Sequence, residues 1–335
     1  MKIQLEHKFE DIASVENLLE AWCEFIKGKR GKKDVQEFSL RLMDNILELH
    51  RDLSTHTYQH GGYQAFNISD PKPRNIHKAA VRDRLLHHAI YRVLYPFFDK
   101  TFIADSYSCR LGKGTHKAIN RFRSLAYKVS RNNTHTCWIL KCDIKKFFEN
   151  IDHEVLRNIL HQYISDERVL VLLSEVIDSF SSLRKGVGLP LGNLTSQIFV
   201  NIYMNEFDQF VKHKLKARYY IRYADDFIIL SEGRRQLENL IFPIHQFLNH
   251  KLKLELHSDK IFVKTLASGV DFLGWVHFLD YRVLRTTTRR RMFRRIKIST
   301  VTETLNSYLG LLGHGNAQKL KCVLEKNYQA LAMRN

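Results

Sequence analysis

The chain has 335 residues, 44% of them hydrophobic and 11% aromatic, with only five prolines; this supplies core for about two domains and excludes low-complexity and disordered classes. Its 53 Lys and Arg against 35 Asp and Glu leave a net charge of +18, which favours polyanions, nucleic acid above all, though a membrane surface or an acidic protein also fits such a balance. No apolar run approaches the ~20 residues of a membrane helix, Glu6, His7, Lys8, Glu10 and Asp11 break up the N-terminus, and Cys23, Cys109, Cys137, Cys142 and Cys322 form no C-x-x-C pair; the expectation is a cytoplasmic protein with no secretory signal, disulfide or structural zinc.

Apolar residues recur at helical spacing from Ile12 to Ile26, and after the basic run Lys27 to Lys33 a second helical pattern reaches Leu53. Thr57 to Ile68 alternates loosely around Gly61 and Gly62, as a hairpin would, until Asp70-Pro71-Lys72-Pro73-Arg74 breaks it before a long helix from about His77 to Phe98. Next come an apolar strand ending in Asp143, helices near Val155 to Tyr163 and Glu167 to Leu183, a glycine-punctuated loop, and a helix near Thr195 to Leu215. Two apolar runs then flank Ala224-Asp225-Asp226, which makes the class α+β with an antiparallel hairpin at its centre. A helix from Gln236 to Leu252, short strands around Lys260 to Lys264 and Val270 to Phe278, and a helical tail complete the chain. No internal repeat is visible.

Tyr223-Ala224-Asp225-Asp226 carries the sharpest chemical signal. Two ionised carboxylates where apolar strands meet need solvent or a cation. Trp138 to Asp143 is a second apolar strand ending in a carboxylate. If the two strands are neighbours in one sheet, Asp143 and Asp225 face each other across a single site, able to hold two Mg²⁺ ions about 4 Å apart for an in-line phosphoryl displacement. An Asp-Asp turn on a solvated surface is the plain alternative for either feature alone, and their conjunction on a basic chain argues against it.

These residues resemble a family. Tyr223-Ala224-Asp225-Asp226 is similar to the signature of reverse transcriptases, and Asp143 with Phe147 and Phe148 to their first palm motif. Arg74 to Ile76 with Asp83-Arg84, and Ser106 to Arg110 with Gly112 to Gly114, resemble the two fingers blocks. Gly188 to Gln197 resembles the next palm motif, and His257 to Lys260 followed by Phe272 to Trp275 the last palm block and the primer-gripping hairpin. The resemblance spans Gly61 to Trp275, with Ser307 to Gly310 and His314 extending it. It implies a right-hand polymerase with N-terminal helices and fingers over 1–135, a palm over 136–278 to which fingers residues return near 165–190, and a helical thumb over 279–335.

The same resemblance implies that Asp143, Asp225 and Asp226, with the Ile144 carbonyl, hold the metal ions. Phe148 is implied to exclude a 2′-hydroxyl from the incoming nucleotide, and Lys260 to protonate the pyrophosphate leaving group. Arg74, Arg84 and Arg110 are candidates for the triphosphate, and Leu191, Gly192 and Gln197 for the nucleotide-facing loop, although the Asp83-Arg84 neighbours also suit a structural pair. Arg289, Arg290, Arg291, Arg294 and Arg295 form a basic stretch interrupted by Met292 and Phe293, as in a helix that packs on one face and follows duplex phosphates on the other.

Most reverse transcriptases carry Pro-Gln-Gly where this chain has Pro190-Leu191-Gly192. The segment Gly188 to Gln197 resembles the reverse transcriptases of diversity-generating retroelements. That resemblance implies cDNA made from a template-repeat RNA with errors opposite adenine, destined for a variable gene, and a small, basic, multimeric accessory protein as partner. The stretch after Trp275 is long enough for a thumb, so a stand-alone polymerase without maturase, endonuclease or ribonuclease H modules is expected. Two readings stay open beside this one: an antiphage or group II intron-like enzyme without adenine mutagenesis, separated by its error spectrum, and an idle RNA-binding scaffold, against which the three aspartates stand. His56, His60, His87 and His88 lack a third ligand at sensible spacing and read as structural.

Overall fold

The computed structural model describes residues 3–69, 73–298 and 301–332. Four N-terminal helices, α1 (Phe9–Ala13), α2 (Val15–Phe25), α3 (Lys33–Leu40) and α4 (Leu42–Ser54), precede the strands β1 (Tyr63–Ile68) and β2 (Arg74–Ala79). Then come α5 (Val81–Thr101), α6 (Thr115–Val129), β3 (Trp138–Asp143), a 3₁₀ turn (Phe147–Asn150), α7 (His153–His161), α8 (Glu167–Asp178) and α9 (Leu194–Gln209), which a π-helical segment (Phe210–Lys214) prolongs. The remainder is β4 (Tyr219–Tyr223), β5 (Asp226–Ser231), α10 (Arg234–Leu252), β6 (Phe262–Thr265), β7 (Val270–Phe272), β8 (Trp275–His277), β9 (Arg282–Leu284), α11 (Thr286–Ile298), α12 (Thr302–Leu312) and α13 (Gln318–Ala332). The α+β class read from the sequence holds. No described helix is long and apolar enough to cross a membrane.

The structure corrects several local expectations. The hairpin is not folded about Gly61 and Gly62: β1 pairs antiparallel with β2, Tyr63 opposite Ala79 and Ile68 opposite Arg74, so the β region does not end before Arg74. Of the proline-bearing segment, Asp70, Pro71 and Lys72 lie outside the described residues. The long helix accordingly begins at Val81, not His77. Each N-terminal helical pattern is two helices, divided at Ser14, whose Oγ accepts from Asn17 N, and at Arg41. Helix α6, unassigned in the sequence reading, starts after Gly114, whose φ of +109° a side chain would resist.

Compactness groups the chain into two units, each built from three stretches. One comprises residues 1–104, 144–216 and 244–256. In it α2 packs on α5 and α5 on α9, burying Leu18, Trp22, Leu86, Ile90, Ile202 and Met204. Asp152 and Asp166 cap α7 and α8 by accepting from Val155 N and Arg168 N, which fixes where those helices start.

The other unit comprises residues 105–143, 217–243 and 257–335. Its four-stranded antiparallel sheet has the order β4-β5-β3-β6, and α6 packs on β4 and β5. A three-stranded sheet, β7-β8-β9, turns through Leu273 (φ +50°) and Gly274 (φ +88°). One apolar cluster joins these layers: Phe122 from α6, Ile139 and Ile228 from the larger sheet, Phe272 and Trp275 from the smaller, and Met292, Ile296, Leu312 and Leu324 from α11, α12 and α13. The three C-terminal helices thus share a core with the sheet that carries the aspartates.

Gly315, between α12 and α13, lies against the buried Trp275: a Cβ there would sit 2.0 Å from Cζ3 of the ring. Gly315→Ala is expected to destabilise the unit by about 1–3 kcal/mol, as overpacking does, read as an earlier thermal unfolding midpoint. An unchanged midpoint would contradict this packing.

Candidate active site

Strand pairing assembles the carboxylates. In β3 the residues alternate between faces, so Lys141 and Asp143 share one side and Leu140 and Cys142 the other. β3 pairs with β5 so that Asp143 lies opposite Asp226, and β5 pairs with β4 so that Asp226 also lies opposite Tyr223. The sequence reading set Asp143 against Asp225. In the strand register Asp226 is the residue opposite Asp143, and Asp225 adjoins it in the two-residue turn with Ala224. That turn holds Ala224 at φ +54°, a left-handed conformation that few non-glycine residues adopt.

Arg222 supports the turn from within the unit. Its side chain is fully buried and donates to Ala224 O at 3.1 Å and to Ser106 Oγ at 3.1 Å, while its backbone N–H donates to Asp105 O and its carbonyl accepts from Tyr107 N. The sequence reading passed over Arg222. A lone charge inside the otherwise apolar run Tyr219 to Tyr223 was the available signal.

Two lysines answer the carboxylates. Lys260 Nζ lies 3.0 Å from Asp143 Oδ1, and the 3₁₀ turn Ser258–Lys260 that carries it is tied to the strand by His257 N donating to Asp143 O at 2.8 Å. Lys141 Nζ lies 3.2 Å from Asp226 Oδ2. Lys141 was not foreseen either, though its place two residues before Asp143 puts it on the same face. Burial in the apolar sheet end pushes the Asp226 carboxyl up to about 7; Lys141 opposes the shift, and the Asp225 and Asp143 charges add to it.

Whether this set suits a divalent cation can be judged from its unmet needs. Asp226 Oδ1 is buried and has no hydrogen-bond partner, and the donors offered are hard carboxylate oxygens, the kind magnesium prefers. Among the described residues no three His, Cys, Asp or Glu side chains converge into a ready-made metal shell, and Asp143 and Asp226 are each engaged by a lysine. The residues fit a cation that would compete with the lysines. Ile144, whose carbonyl is the further candidate ligand, follows Asp143 directly, is buried, and forms a bridge with Leu256.

In the other unit a second group of candidates is held together by backbone hydrogen bonds. Leu189 N donates to Phe148 O at 2.8 Å, His77 N to Leu191 O at 3.0 Å, and Asn193 Nδ2 to His77 O at 2.9 Å, so the Leu189 to Asn193 loop is pinned to the 3₁₀ turn of Phe148 and to β2. Gly192 has φ +108°, and a Cβ there would meet Ile76 Cγ2 at 2.8 Å. Gln197 lies one turn into α9, half-buried, its carbonyl accepting from Asn201 Nδ2. Arg74 opens β2 and is exposed. Arg84 is instead drawn to Asp34, Nη2 to Oδ2 at 2.5 Å, and lies over the Phe25 ring, while its neighbour Asp83 accepts from Tyr58 Oη and Gly61 N. Arg110, in the unit that holds the aspartates, donates to Ser106 O.

The basic stretch falls on α11 with the alternation its composition suggests. Met292 and Ile296 are fully buried, whereas Arg289, Arg290, Arg294 and Arg295 are exposed and Arg291 is half-buried. Arg289, Arg290, Arg294 and Lys297 line a concave surface with Phe293 and with Leu320 and Val323 of α13.

A family model described as "Reverse transcriptase (RNA-dependent DNA polymerase)" matches residues 69–277, well over half of the chain. The chain is 27% identical over 261 residues to Protein YkfC of Escherichia coli, covering 66% of each, and 23% identical over 297 residues to Group II intron-encoded protein LtrA of Lactococcus lactis, covering 69% of this chain and 47% of that one. It therefore spans less than two thirds of the length of either relative. Among solved structures it superposes on apo telomerase from Candida tropicalis, truncated from its C-terminal domain, with a TM-score of 0.50 at 12% identity over 67% of this chain and 55% of that one. At that identity the likeness is one of fold, the right-hand polymerase fold. By the reach of the family model across its strands and aspartates, this chain belongs to the reverse transcriptase family.

Proposed function

We propose that the chain is an RNA-directed DNA polymerase whose chemistry is carried by Asp143, Asp225 and Asp226. The observation that bears most weight is the register pairing of Asp143 with Asp226 at the sheet end, with Asp225 adjoining and Asp226 Oδ1 unsatisfied. Two magnesium ions, when bound by these carboxylates and the Ile144 carbonyl, supply charge neutralisation and Lewis acidity for attack of a primer hydroxyl on a deoxynucleoside triphosphate. The chain's own groups do the rest. Lys260, already beside Asp143, is the proton donor to the departing pyrophosphate. Phe148 sits against the nucleotide sugar and rejects a 2′-hydroxyl, and Arg74, Arg110, Gly192 and Gln197 contribute to nucleotide binding. For Arg84 the same role requires exchange of Asp34 for a phosphate. Arg289, Arg290, Arg291, Arg294 and Arg295 hold the RNA–DNA duplex by its phosphates.

Within that activity, we read the enzyme as one of the diversity-generating retroelement type, copying a template-repeat RNA with errors opposite adenine and working with a small basic accessory protein. Support comes from Leu191. The loop carrying it is anchored through its backbone, its carbonyl accepting from His77 N, which leaves an aliphatic side chain where an amide would offer a hydrogen bond to nucleotide or template. A lost bond of ~1 kcal/mol relaxes selection about five-fold, so Leu191 is one contributor to infidelity among others. Similarity to a group II intron-encoded protein favours the second reading, an intron-like polymerase that copies adenine faithfully.

Primer extension on a defined RNA with Mg²⁺ and four deoxynucleotides, with the products sequenced, tests both levels. Synthesis should fall at least about a thousand-fold in Asp225→Asn/Asp226→Asn; synthesis that survives this change would refute the polymerase assignment. Errors should concentrate at template adenines and fall about five-fold in Leu191→Gln, whereas uniform, low error would establish the intron-like reading. Neutralising Arg289, Arg290 and Arg294 together should weaken duplex binding and flatten its salt dependence by about three units of log–log slope at most. Unchanged binding across salt would remove α11 from the duplex site.

A further inference from the structure

Lys141 has three features that its neighbour Lys260 lacks. Its side chain is only 12% exposed against 46% for Lys260; it is fixed at a second point, Nζ donating to Asp271 O at 2.8 Å; and it lies 6.0 Å from the centre of the Phe272 ring. Lys260 is a surface lysine on a 3₁₀ turn, whereas Lys141 is built into the sheet. Its two oxygen partners come from different sheets: Asp226 opens β5, and Asp271 is the middle residue of β7.

The far end of that connection is also tied. The Asp271 carboxylate pairs with Arg285, whose backbone N–H donates to Gly274 O at 3.0 Å in the β7–β8 turn and which immediately precedes α11. From Asp226 through Lys141 and Asp271 to Arg285 there is a continuous run of charge-assisted contacts. It joins the turn that bears the aspartates to the strand and helix that share its apolar core.

We propose that Lys141 is a positioning residue for the metal site: by saturating Asp226 Oδ2 while held in place by the Asp271 carbonyl, it fixes the plane of that carboxylate so that Oδ1 is presented to the cation. The physical basis is the asymmetry of the carboxylate. Oδ2 is satisfied by Lys141 and Oδ1 is buried with no partner, so turning the carboxylate plane out of this orientation would break the Lys141 contact. Loss of Lys141 removes the contact that holds the plane in that orientation. Its positive charge works against a cation, and the gain lies in orientation, which is the role groups behind metal ligands play elsewhere.

The inference rests on the reading of Asp143 and Asp226 as metal ligands, and the test separates the two. Mn²⁺ binding to the full-length protein free of nucleic acid is measured by electron paramagnetic resonance for wild type, Asp143→Asn/Asp226→Asn, Lys141→Met and Lys141→Arg. Wild-type binding that the double aspartate variant abolishes upholds the metal reading; absence of such binding sinks that reading and the Lys141 inference with it. Given wild-type binding, Lys141→Met is expected to weaken Mn²⁺ affinity about ten-fold or more, while Lys141→Arg, which keeps the charge and donors, stays within about three-fold of wild type. Equal or tighter binding by Lys141→Met would show that the lysine merely repels the ion, and equal loss in both variants would show that side-chain shape governs the site; either overturns the proposal. If Lys141→Met does not fold, Lys141→Gln is read by the same criterion.

Discussion

Asp143 and Asp226 are register partners at the end of the β3–β5 pair, and a slip of one residue would send one of them to the opposite face of the sheet. What prevents the slip is apolar: Ile139, Leu140, Ile228, Ile229 and Leu230 are all buried, so any other register would expose part of that set and bury charge in its place. The carboxylates therefore sit together as a consequence of strand burial, at an energetic disadvantage to themselves. The raised Asp226 carboxyl and its unbonded Oδ1 measure that disadvantage.

The surrounding charges are arranged around this one cost. Lys260, half-exposed on its short turn, and Lys141, enclosed in the sheet, each take one oxygen of the pair, and Arg222 secures the turn from its buried side through the Ala224 carbonyl. The Lys260 pair is partly exposed, whereas the Lys141 and Arg222 contacts are enclosed and unlike the surface ion pairs that contribute little. Because Asp271 and Arg285 continue the run to the start of α11, and Met292 and Ile296 of that helix reach the core shared with Phe272 and Trp275, the aspartate-bearing sheet and the phosphate-facing helix belong to one mechanical body.

Much of this was legible in the residues. An apolar strand ending in a lone aspartate and a pair of apolar runs about Ala224-Asp225-Asp226 specified an antiparallel centre, and the alternation of Met292 and Ile296 with arginines specified the buried face of α11. Other features were hidden for identifiable reasons. The β1–β2 pair buries only Ala79 fully, so it lacks the apolar alternation that marks a half-buried strand, and the prolines in the sequence between the two strands read as a terminator of the β region. α6 begins after a glycine and is dense in basic residues, which masks its stripe of Ala118, Ile119, Phe122 and Leu125. That Asp226 stands directly opposite Asp143 is a matter of the β3–β5 register, which cannot be read from either strand alone. Lys141 and Arg222 are single charges in apolar runs, visible as anomalies but assigned a purpose only by their partners in space.

A crystal of the protein soaked with Mn²⁺, with anomalous differences recorded at the manganese edge, tests the central claim most directly. The account predicts anomalous density within about 2.1 Å of carboxylate oxygens from both Asp143 and Asp226, with Lys260 displaced from Asp143. Density bound elsewhere, with both aspartates still held by their lysines, would contradict it.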